Sequence, residues 1–381
     1  MKILIIGAGM MGRAVAFDLA AFSKFDTICV SDIDKKTLDS AKSFLNVKKI
    51  EYEILDVSDE KEIKETFKKY DLVISAIPYH FNYELTKTAI ETKTHFIDLG
   101  GNNTIVEKQL SLSRLAEKNN VTIIPDCGLA PGLVSIITRD VVNTLDEVDF
   151  VKLRVGGLPL KPVPPFNYQI VFSPNGLINE YLEDALILEN KQIVAKESMT
   201  ELEEISFPYP FSKMEAFLTS GGCSTLPYTF RYIIKYLDYK TIRYPGHCEM
   251  IKPMLDIGLG SEEPITVMNK EVVPRKLLIK LLTEKIPSKG QDVVLLKTMS
   301  EGAKKGKKVK IDYQLIDYFD QENNITSMMR TTAFPVAIIA EMIRSGEIKK
   351  RGVHTCENIV PPESFFKELR KRNINIKKKI V

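Results

Sequence analysis

The stretch Lys2-Ile3-Leu4-Ile5-Ile6-Gly7-Ala8-Gly9-Met10-Met11-Gly12 decides the fold. Lys2 to Ile6 is a short continuous apolar run, the pattern of a strand covered on both faces. A G-x-G-x-x-G element follows at once and opens an amphipathic segment from Met10 to Phe22. Such an element alone is a weak signal. Here the strand precedes it, the helix follows it, and an acid, Asp32, ends the next apolar run twenty residues past Gly12. Gly7 permits the tight turn, Gly9 lets the backbone approach a pyrophosphate, and Gly12 lets the helix pack closely on the sheet. The helix start at Met10 and Met11 offers free N–H groups and a positive dipole end to the phosphates.

Asp32 is placed to accept hydrogen bonds from the adenosine ribose, and its charge repels a 2′-phosphate. NAD is therefore expected over NADP, with Lys35 and Lys36 nearby as a countervailing charge. A flavin dinucleotide uses the same fingerprint. Ala76-Ile77-Pro78 follows the fourth apolar run, where small residues let a cofactor lie across the strand ends. Asp56 is read either as an adenine neighbour or as a helix cap, since Asp56, Ser58 and Asp59 all suit an N-cap.

Working outward, strands are predicted at 27–30, 52–55, 72–76, 95–99 and 121–124. Helices are predicted between them at 35–44, 60–69, 83–92 and 107–118. That alternation predicts an α/β fold, a Rossmann-type doubly wound parallel sheet over residues 1–132. After Gly132 the rhythm changes. Val151 to Gly157 and Tyr168 to Ser173 read as strands separated by the proline-rich Lys161 to Pro165. Val293–Met299 and Val309–Tyr318 flank a Gly/Lys-rich turn and predict an antiparallel hairpin. Residues 133–325 are therefore assigned to a second α/β domain that binds substrate, and 326–381 to a segment, led by the helix Thr326 to Ser345, returning to the first domain.

The 53 basic and 50 acidic residues nearly cancel, which gives no global cause to expect nucleic acid; the basic run Lys367 to Lys379 reads as a solvated face. Five scattered cysteines without a CxxC pair argue against a disulfide framework and a metal site, and suit a reducing cytoplasm. No apolar run approaches the length of a membrane span. A homo-oligomer is expected, as is common for soluble enzymes.

Several longer motifs lie beyond the glycine loop. They are Asp98-Leu99-Gly100-Gly101, Pro125 to Gly132 (PDCGLAPG), Gly156-Gly157-Leu158-Pro159 and Glu215-Ala216-Phe217. Thr219 to Leu226 (TSGGCSTL), Lys240 to His247 (KTIRYPGH) and Arg330-Thr331-Thr332-Ala333 complete the set. Through them the chain resembles the saccharopine dehydrogenase-like enzymes, and within these the lysine 6-dehydrogenases. The resemblance implies a Rossmann domain, a substrate domain, a cleft between them, and NAD-dependent oxidative deamination at the ε-carbon of L-lysine. The product aldehyde would close on the α-amine to a cyclic imine, with release of ammonia. Ala130 stands where saccharopine reductases carry an Asp, which favours lysine. Leu218 stands where a lysine enzyme would carry a more polar residue.

Amine oxidation by hydride transfer requires a neutral amine, a proton acceptor and an anchor for the substrate carboxylate. His247 is the candidate base, because an unperturbed imidazole titrates near neutrality; His80 is held in reserve. Asp98, ending the fifth strand, is read either as part of the amine site or as the cap of the Gly100-Gly101 turn, and Asp126 as structural. Arg243 is assigned to the substrate carboxylate, since a guanidinium makes bidentate bonds to one. Glu215, Thr219 and Tyr79 are expected to line the substrate pocket. Secondary-amine substrates need a further cation, for which Arg154, Arg231 and Lys240 are available. A regulatory protein that only senses NAD(H) would keep Gly7, Gly9, Gly12 and Asp32 but have no use for His247 or Arg243.

Overall fold

Ile3 to Ile6 are almost wholly buried, as a strand covered on both faces requires. In the computed structural model, which describes all 381 residues, they belong to β1 (Lys2–Ile6). There follow α1 (Met10–Phe22), β2 (Thr27–Asp32), α2 (Lys35–Leu45), β3 (Ile50–Ile54), α3 (Glu60–Phe67) and β4 (Leu72–Ser75). Next come α4 (Asn82–Thr92), β5 (His95–Asp98), α5 (Asn103–Ser111), α6 (Ser113–Lys118), β6 (Thr122–Ile124) and α7 (Leu133–Thr144). The strands are parallel in the order β3-β2-β1-β4-β5-β6, the doubly wound arrangement expected from the sequence. Strand order reverses between β1 and β4, and ligands of open α/β sheets bind beyond the carboxyl ends at such a point.

Local chemistry sets the helix starts. Asp34 caps α2 by accepting from the backbone N–H groups of Lys36 and Thr37, and Asp59 caps α3 through Lys61 and Glu62. The helix predicted over 107–118 is two helices, broken at Leu112 and begun earlier because Asn102 accepts from Ile105 N.

The chain divides into two units, Met1–Asp140 with Met329–Ile374, and Val141–Met328 with Asn375–Val381. The second unit contains β7 (Glu147–Pro159), α8 (Pro174–Leu182), β8 (Ala185–Glu189), β9 (Gln192–Lys196), β10 (Glu203–Ser206), β11 (Lys213–Leu218), α9 (Leu226–Phe230) and β12 (Ile234–Arg243). It continues with α10 (His247–Asp256), the small hairpin β13 (Ile265–Val267) and β14 (Lys270–Val272), α11 (Pro274–Lys285), β15 (Asp292–Lys304) and β16 (Lys307–Tyr318). Its main sheet runs β10-β11-β12-β7-β15-β16; β7 and β12 are parallel and the other pairs in this run antiparallel. The predicted hairpin is present but longer, because the turn tightens to Lys305-Gly306, both at positive φ.

Tyr168 to Ser173, expected to be a strand, is not one. Prolines at 164, 165 and 174 bracket it, and backbone bonds tie Tyr168 N to Val163 O and Ile170 N to Pro287 O rather than to a neighbouring strand. Tyr168 and Ile170 are buried instead in an apolar cluster with residues of α8, α10 and α11.

The chain then forms α12 (Ser327–Arg344), β17 (Gly352–Val353), α13 (Cys356–Ile359), α14 (Pro362–Lys371) and β18 (Lys377–Ile380). β17 extends the parallel sheet beside β6, and Arg372 makes a buried bidentate ion pair with Asp18 of α1. The expectation that all of 326–381 returns to the first domain needs correcting at its end, because β18 pairs with β16 in the second unit. No helix is long and apolar enough to cross a membrane.

Candidate functional site

The loop between β1 and α1 has the geometry of a phosphate cradle. Gly7 sits at φ +101, and a Cβ there would lie 2.7 Å from the Ala76 carbonyl oxygen and 2.9 Å from the Ile77 side chain. A Cβ on Gly12 would run into the Gly7 carbonyl, so α1 can seat on the turn only without one. Gly9, by contrast, faces open space, where a ligand can reach the backbone. The first α-helical bond runs from Arg13 N to Gly9 O, so the N–H groups of Met10, Met11 and Gly12 have no acceptor within the helix. Asp32, at the end of β2, accepts from Ala8 N (2.8 Å) and Asp34 N (2.9 Å), which fixes its carboxylate against the loop. These features fit a dinucleotide whose pyrophosphate lies on the helix start and whose ribose faces Asp32.

Ala76 is hydrogen-bonded to Ile6 O, which places Ala76-Ile77-Pro78 beside the glycine loop. Tyr79 begins a short 3₁₀ turn and its ring packs toward Gly101, while the neighbouring His80 is exposed. Asp56 does not cap α3, which Asp59 does; its carboxylate accepts from Ser58 N in the preceding turn.

Asp98 is fully buried. One oxygen accepts from Gly100 N (2.7 Å) and Asp126 N (3.3 Å), the other from Gln109 Nε2 (2.7 Å). Burial pushes its carboxyl up to about 6 against those bonds. Of the two readings of Asp98, this geometry fits the turn cap, since both oxygens accept from groups of the protein. Asp126 takes positive φ at the same bend.

In the second unit β11, β12, α8 and α10 bring together Glu215, Thr219, Arg243 and His247. Glu215 and Arg243 are register partners on adjacent strands. The carboxylate of Glu215 accepts from Gly246 N and Cys248 N, both at 2.7 Å, and so caps α10 at the residue before and the residue after the start of His247. Thr219 shares its hydroxyl with Thr241 across the same strands (2.8 Å). Both residues expected to touch substrate thus use their polar atoms to build the wall of the site.

His247 is 1% exposed, and burial, then the charge of Arg243, push its imidazole down to about 3. Hydrogen-bond accounting fixes its tautomer. Nδ1 faces the Phe166 carbonyl at 2.9 Å, an acceptor, so Nδ1 carries the proton. Nε2 of a neutral ring is then an acceptor, and the Tyr181 hydroxyl, at 3.0 Å, donates to it. That hydroxyl in turn accepts from Arg243 Nε at 2.9 Å. His247, read from sequence as a base, is therefore a neutral strut: it orients Tyr181, and Tyr181 orients Arg243.

Arg243 itself is 2% exposed. Two of its N–H donors go to Tyr181 and the Ile242 carbonyl, and its guanidinium lies 4.9 Å from the Tyr168 ring centre and 5.8 Å from that of Tyr181. No carboxylate pairs with it, although a buried guanidinium lacking one is costly. The aromatic faces recover on the order of 2 kcal/mol of that. The guanidinium is thus held rigid with its outer N–H edge unspent, and a guanidinium edge of that kind can take a carboxylate in two parallel bonds. The other candidate cations differ. Arg154 is fully buried, paired bidentately with Asp238 and also with Glu203, while Lys240 pairs with Glu203 and donates to the Glu201 carbonyl. Only Arg231 of the three lacks a carboxylate; it lies partly exposed over the ring of Tyr232.

Tyr181 and its neighbour Glu180 were not anticipated from the sequence. The signal for their helix was present in Ser173-Pro174-Asn175-Gly176, a cap followed by a proline at N1, and in the apolar spacing Leu177, Ile178, Tyr181.

Two family models divide the chain between them. Residues 3–124 match the saccharopine dehydrogenase NADP binding domain, and residues 128–374 match the saccharopine dehydrogenase C-terminal domain. The chain belongs to the saccharopine dehydrogenase family. It is a family of NAD(P)-dependent oxidoreductases. Among curated relatives, the saccharopine dehydrogenase [NADP(+), L-glutamate-forming] of Pyricularia oryzae is 27% identical over 77% of this chain and 65% of its own length. The mouse mitochondrial alpha-aminoadipic semialdehyde synthase is 22% identical over 72% of this chain and 30% of its own. The match thus spans just under two thirds of the fungal relative and less than one third of the mouse one.

Among solved structures, the apo saccharopine dehydrogenase (L-Glu forming) of Saccharomyces cerevisiae superposes with a TM-score of 0.81. It is 20% identical and covers 100% of this chain and 99% of that one. The homospermidine synthase of Legionella pneumophila, solved with NAD, gives 0.68 at 14% identity, covering 100% and 91%. Both share the saccharopine dehydrogenase fold, a Rossmann-like parallel sheet with a second mixed-sheet domain.

Proposed function

We propose that this protein is an NAD-dependent dehydrogenase that oxidises the ε-amine of L-lysine to the semialdehyde with release of ammonia. The observation that carries the reading is Arg243: of the cations available to bind a second-domain carboxylate, it alone is buried, rigidly oriented and free of a protein carboxylate. One such anchor suits a substrate with one carboxylate. The glycine loop and Asp32 would hold the dinucleotide, and Asp32 disfavours a 2′-phosphate, hence NAD. The bound nicotinamide supplies the hydride acceptor. The chain's own contribution is to grip the carboxylate through Arg243, held by Tyr181 and His247, so that the far end of the substrate is presented in one orientation.

A second reading is favoured by the fungal relatives and by Arg231. If Arg231 takes a further carboxylate, the substrate is a secondary amine such as saccharopine and the amine released is L-glutamate. Product analysis separates the two. Incubation with lysine and NAD is expected to release ammonia and a cyclic imine that colours with o-aminobenzaldehyde. Release of glutamate from saccharopine, with lysine inert, would replace the first reading by the second.

A further inference from the structure

Tyr168, on the irregular segment before α8, is 2% exposed, yet its hydroxyl makes no hydrogen bond. Its ring lies 4.9 Å from the Arg243 guanidinium carbon and 5.3 Å from the ring of His247. With Phe166, Tyr181 and His247 it also lines a small cavity among α8, α10 and α11. The wall of that cavity is apolar throughout, so the hydroxyl does not face into it. Nor is the hydroxyl oxygen wholly buried, and the little surface that Tyr168 keeps therefore includes it. Buried tyrosines usually find a partner for this group. The neighbours do: Tyr181 accepts from Arg243 and donates to His247, and Tyr244 donates to the Pro159 carbonyl at 3.0 Å. Tyr168 and Arg243 are thus adjacent donors, each with bonding capacity that the protein leaves unspent. A single acceptor brought in from outside would satisfy both.

We infer that the Tyr168 hydroxyl is a second ligand-binding group of the Arg243 site, donating to the carboxylate that the guanidinium grips. The inference deepens the proposed function and rests on its assignment of Arg243 as the carboxylate anchor. A carboxylate has two oxygens and several lone-pair sites, enough for the guanidinium edge and a hydroxyl together. The charge of Arg243 alongside favours an anion over an ammonium at this spot. Burial pushes the hydroxyl up to about 12, so near neutrality it remains a neutral proton donor and adds no charge against the carboxylate. The two donors come from separate elements, β12 and the segment before α8. Between them they fix the orientation of the carboxylate as well as its position, and so hold the far end of the substrate in one pose. Tyr168 is a binding residue here and moves no proton.

Y168F removes the hydroxyl and leaves the ring on Arg243. Because that hydroxyl bonds nothing in the empty protein, unliganded Y168F should melt no lower than wild type, whereas Y181F, which loses two bonds, should melt lower. Hexanoate, which carries a carboxylate and no amine, reads binding without turnover. Calorimetric titration of the full chain with NADH present is expected to show Y168F binding hexanoate about 10-fold more weakly than wild type, the scale of one hydrogen bond to a charged group. NADH affinity should be unchanged. With lysine as substrate, KM should rise by a similar factor and kcat stay close to wild type. Undiminished hexanoate binding by Y168F overturns the inference. So does a Y168F that melts well below wild type or fails to fold, since an unbonded hydroxyl is dispensable to the empty protein. R243Q separates the inference from the reading on which it rests. If wild type does not bind hexanoate, or R243Q binds it equally well, the anchor and the inference fall together. If R243Q loses hexanoate and Y168F keeps it, only the inference falls. If both variants lose affinity but lysine is not oxidised, the Tyr168 assignment stands and the proposed reaction fails.

Discussion

The two halves of this molecule build their binding sites from different material. In the first unit the site is made of backbone: Gly7, Gly9 and Gly12 within one turn, the N–H groups at the start of α1, and a single acid at the end of the next strand. In the second unit the candidate site is made of side chains, Tyr181, Arg243 and His247, held by a chain of hydrogen bonds from Arg243 to Tyr181 to His247 to the Phe166 carbonyl. A backbone site needs glycines at fixed short spacing, because only a missing Cβ permits the geometry. A side-chain network can be assembled from any residues that folding brings together, and each member can serve as ligand or as support. The difference is one of redundancy: the first site has no substitute for its glycines, while the second spreads its function over residues that touch substrate and residues that do not.

Substitutions can break this contrast, beginning with the largest effect. Gly12→Val forces a Cβ into the Gly7 carbonyl; NADH affinity, followed by nucleotide fluorescence, is expected to fall at least about 100-fold. If it does not, the loop is not the cradle described. Arg243→Gln removes the anchor itself, and kcat/KM for the amino-acid substrate should drop about 100-fold or more while NADH affinity is unchanged. A loss of cofactor affinity instead would mean that the variant disturbs more than the substrate site.

Tyr181→Phe sharpens the comparison, because it removes only a support. The hydroxyl that receives Arg243 and donates to His247 is lost, and a decrease of about 10-fold in kcat/KM is expected from one buried hydrogen bond left unmade. His247→Asn should resemble it. If His247 were instead the catalytic base, the acid limb of the pH–rate profile would vanish in that variant; the neutral strut predicts that the limb persists. In the first unit, Asp32→Ala should narrow the preference for NAD over NADP by about tenfold, since one acceptor for the ribose and one source of repulsion are lost together. Steady-state constants for both cofactors measure this directly.

The last effect is on stability. His247 has its folded pKa, about 3, below the unfolded value near 6.5, so its stabilising contribution is full above pH 6.5 and is lost as pH falls toward 3. His95, lowered to about 4 chiefly by burial, acts in the same sense. Glu180, Asp98, Asp18 and Asp292 have raised values and act oppositely, because they favour the fold when protonated. The net profile therefore does not isolate any one group. Comparing wild type with His247→Asn does: between pH 6.5 and 3 the variant's stability should change less steeply, by at most about 1.4 kcal/mol per pH unit. Equal slopes in denaturant titrations would show that His247 is not held neutral.

Legibility in the sequence follows the same contrast. The Rossmann sheet was readable because its strands are covered on both faces and α2, α3 and α5 carry their own caps; β1 and α1 fall at the residues expected. The segment Tyr168 to Ser173 has the composition of a strand, but tertiary packing against α8, α10 and α11 uses it as an irregular wall instead. Arg243 and His247 stood out because they share one motif, yet nothing in the motif says which of them faces ligand. That distinction comes from Phe166 and Tyr181, far away in sequence. Asp98 shows the converse: its place at a strand end suggests chemistry, and its engagement with Gly100, Gln109 and Asp126 is visible only in three dimensions.

The most direct test of the central reading is NADH formation, followed at 340 nm, with NAD and either L-lysine or saccharopine, for wild type and Arg243→Gln. The account predicts turnover with lysine, none or little with saccharopine, and near-complete loss in the variant. Turnover with saccharopine alone, or lysine turnover that Arg243→Gln leaves intact, would contradict it.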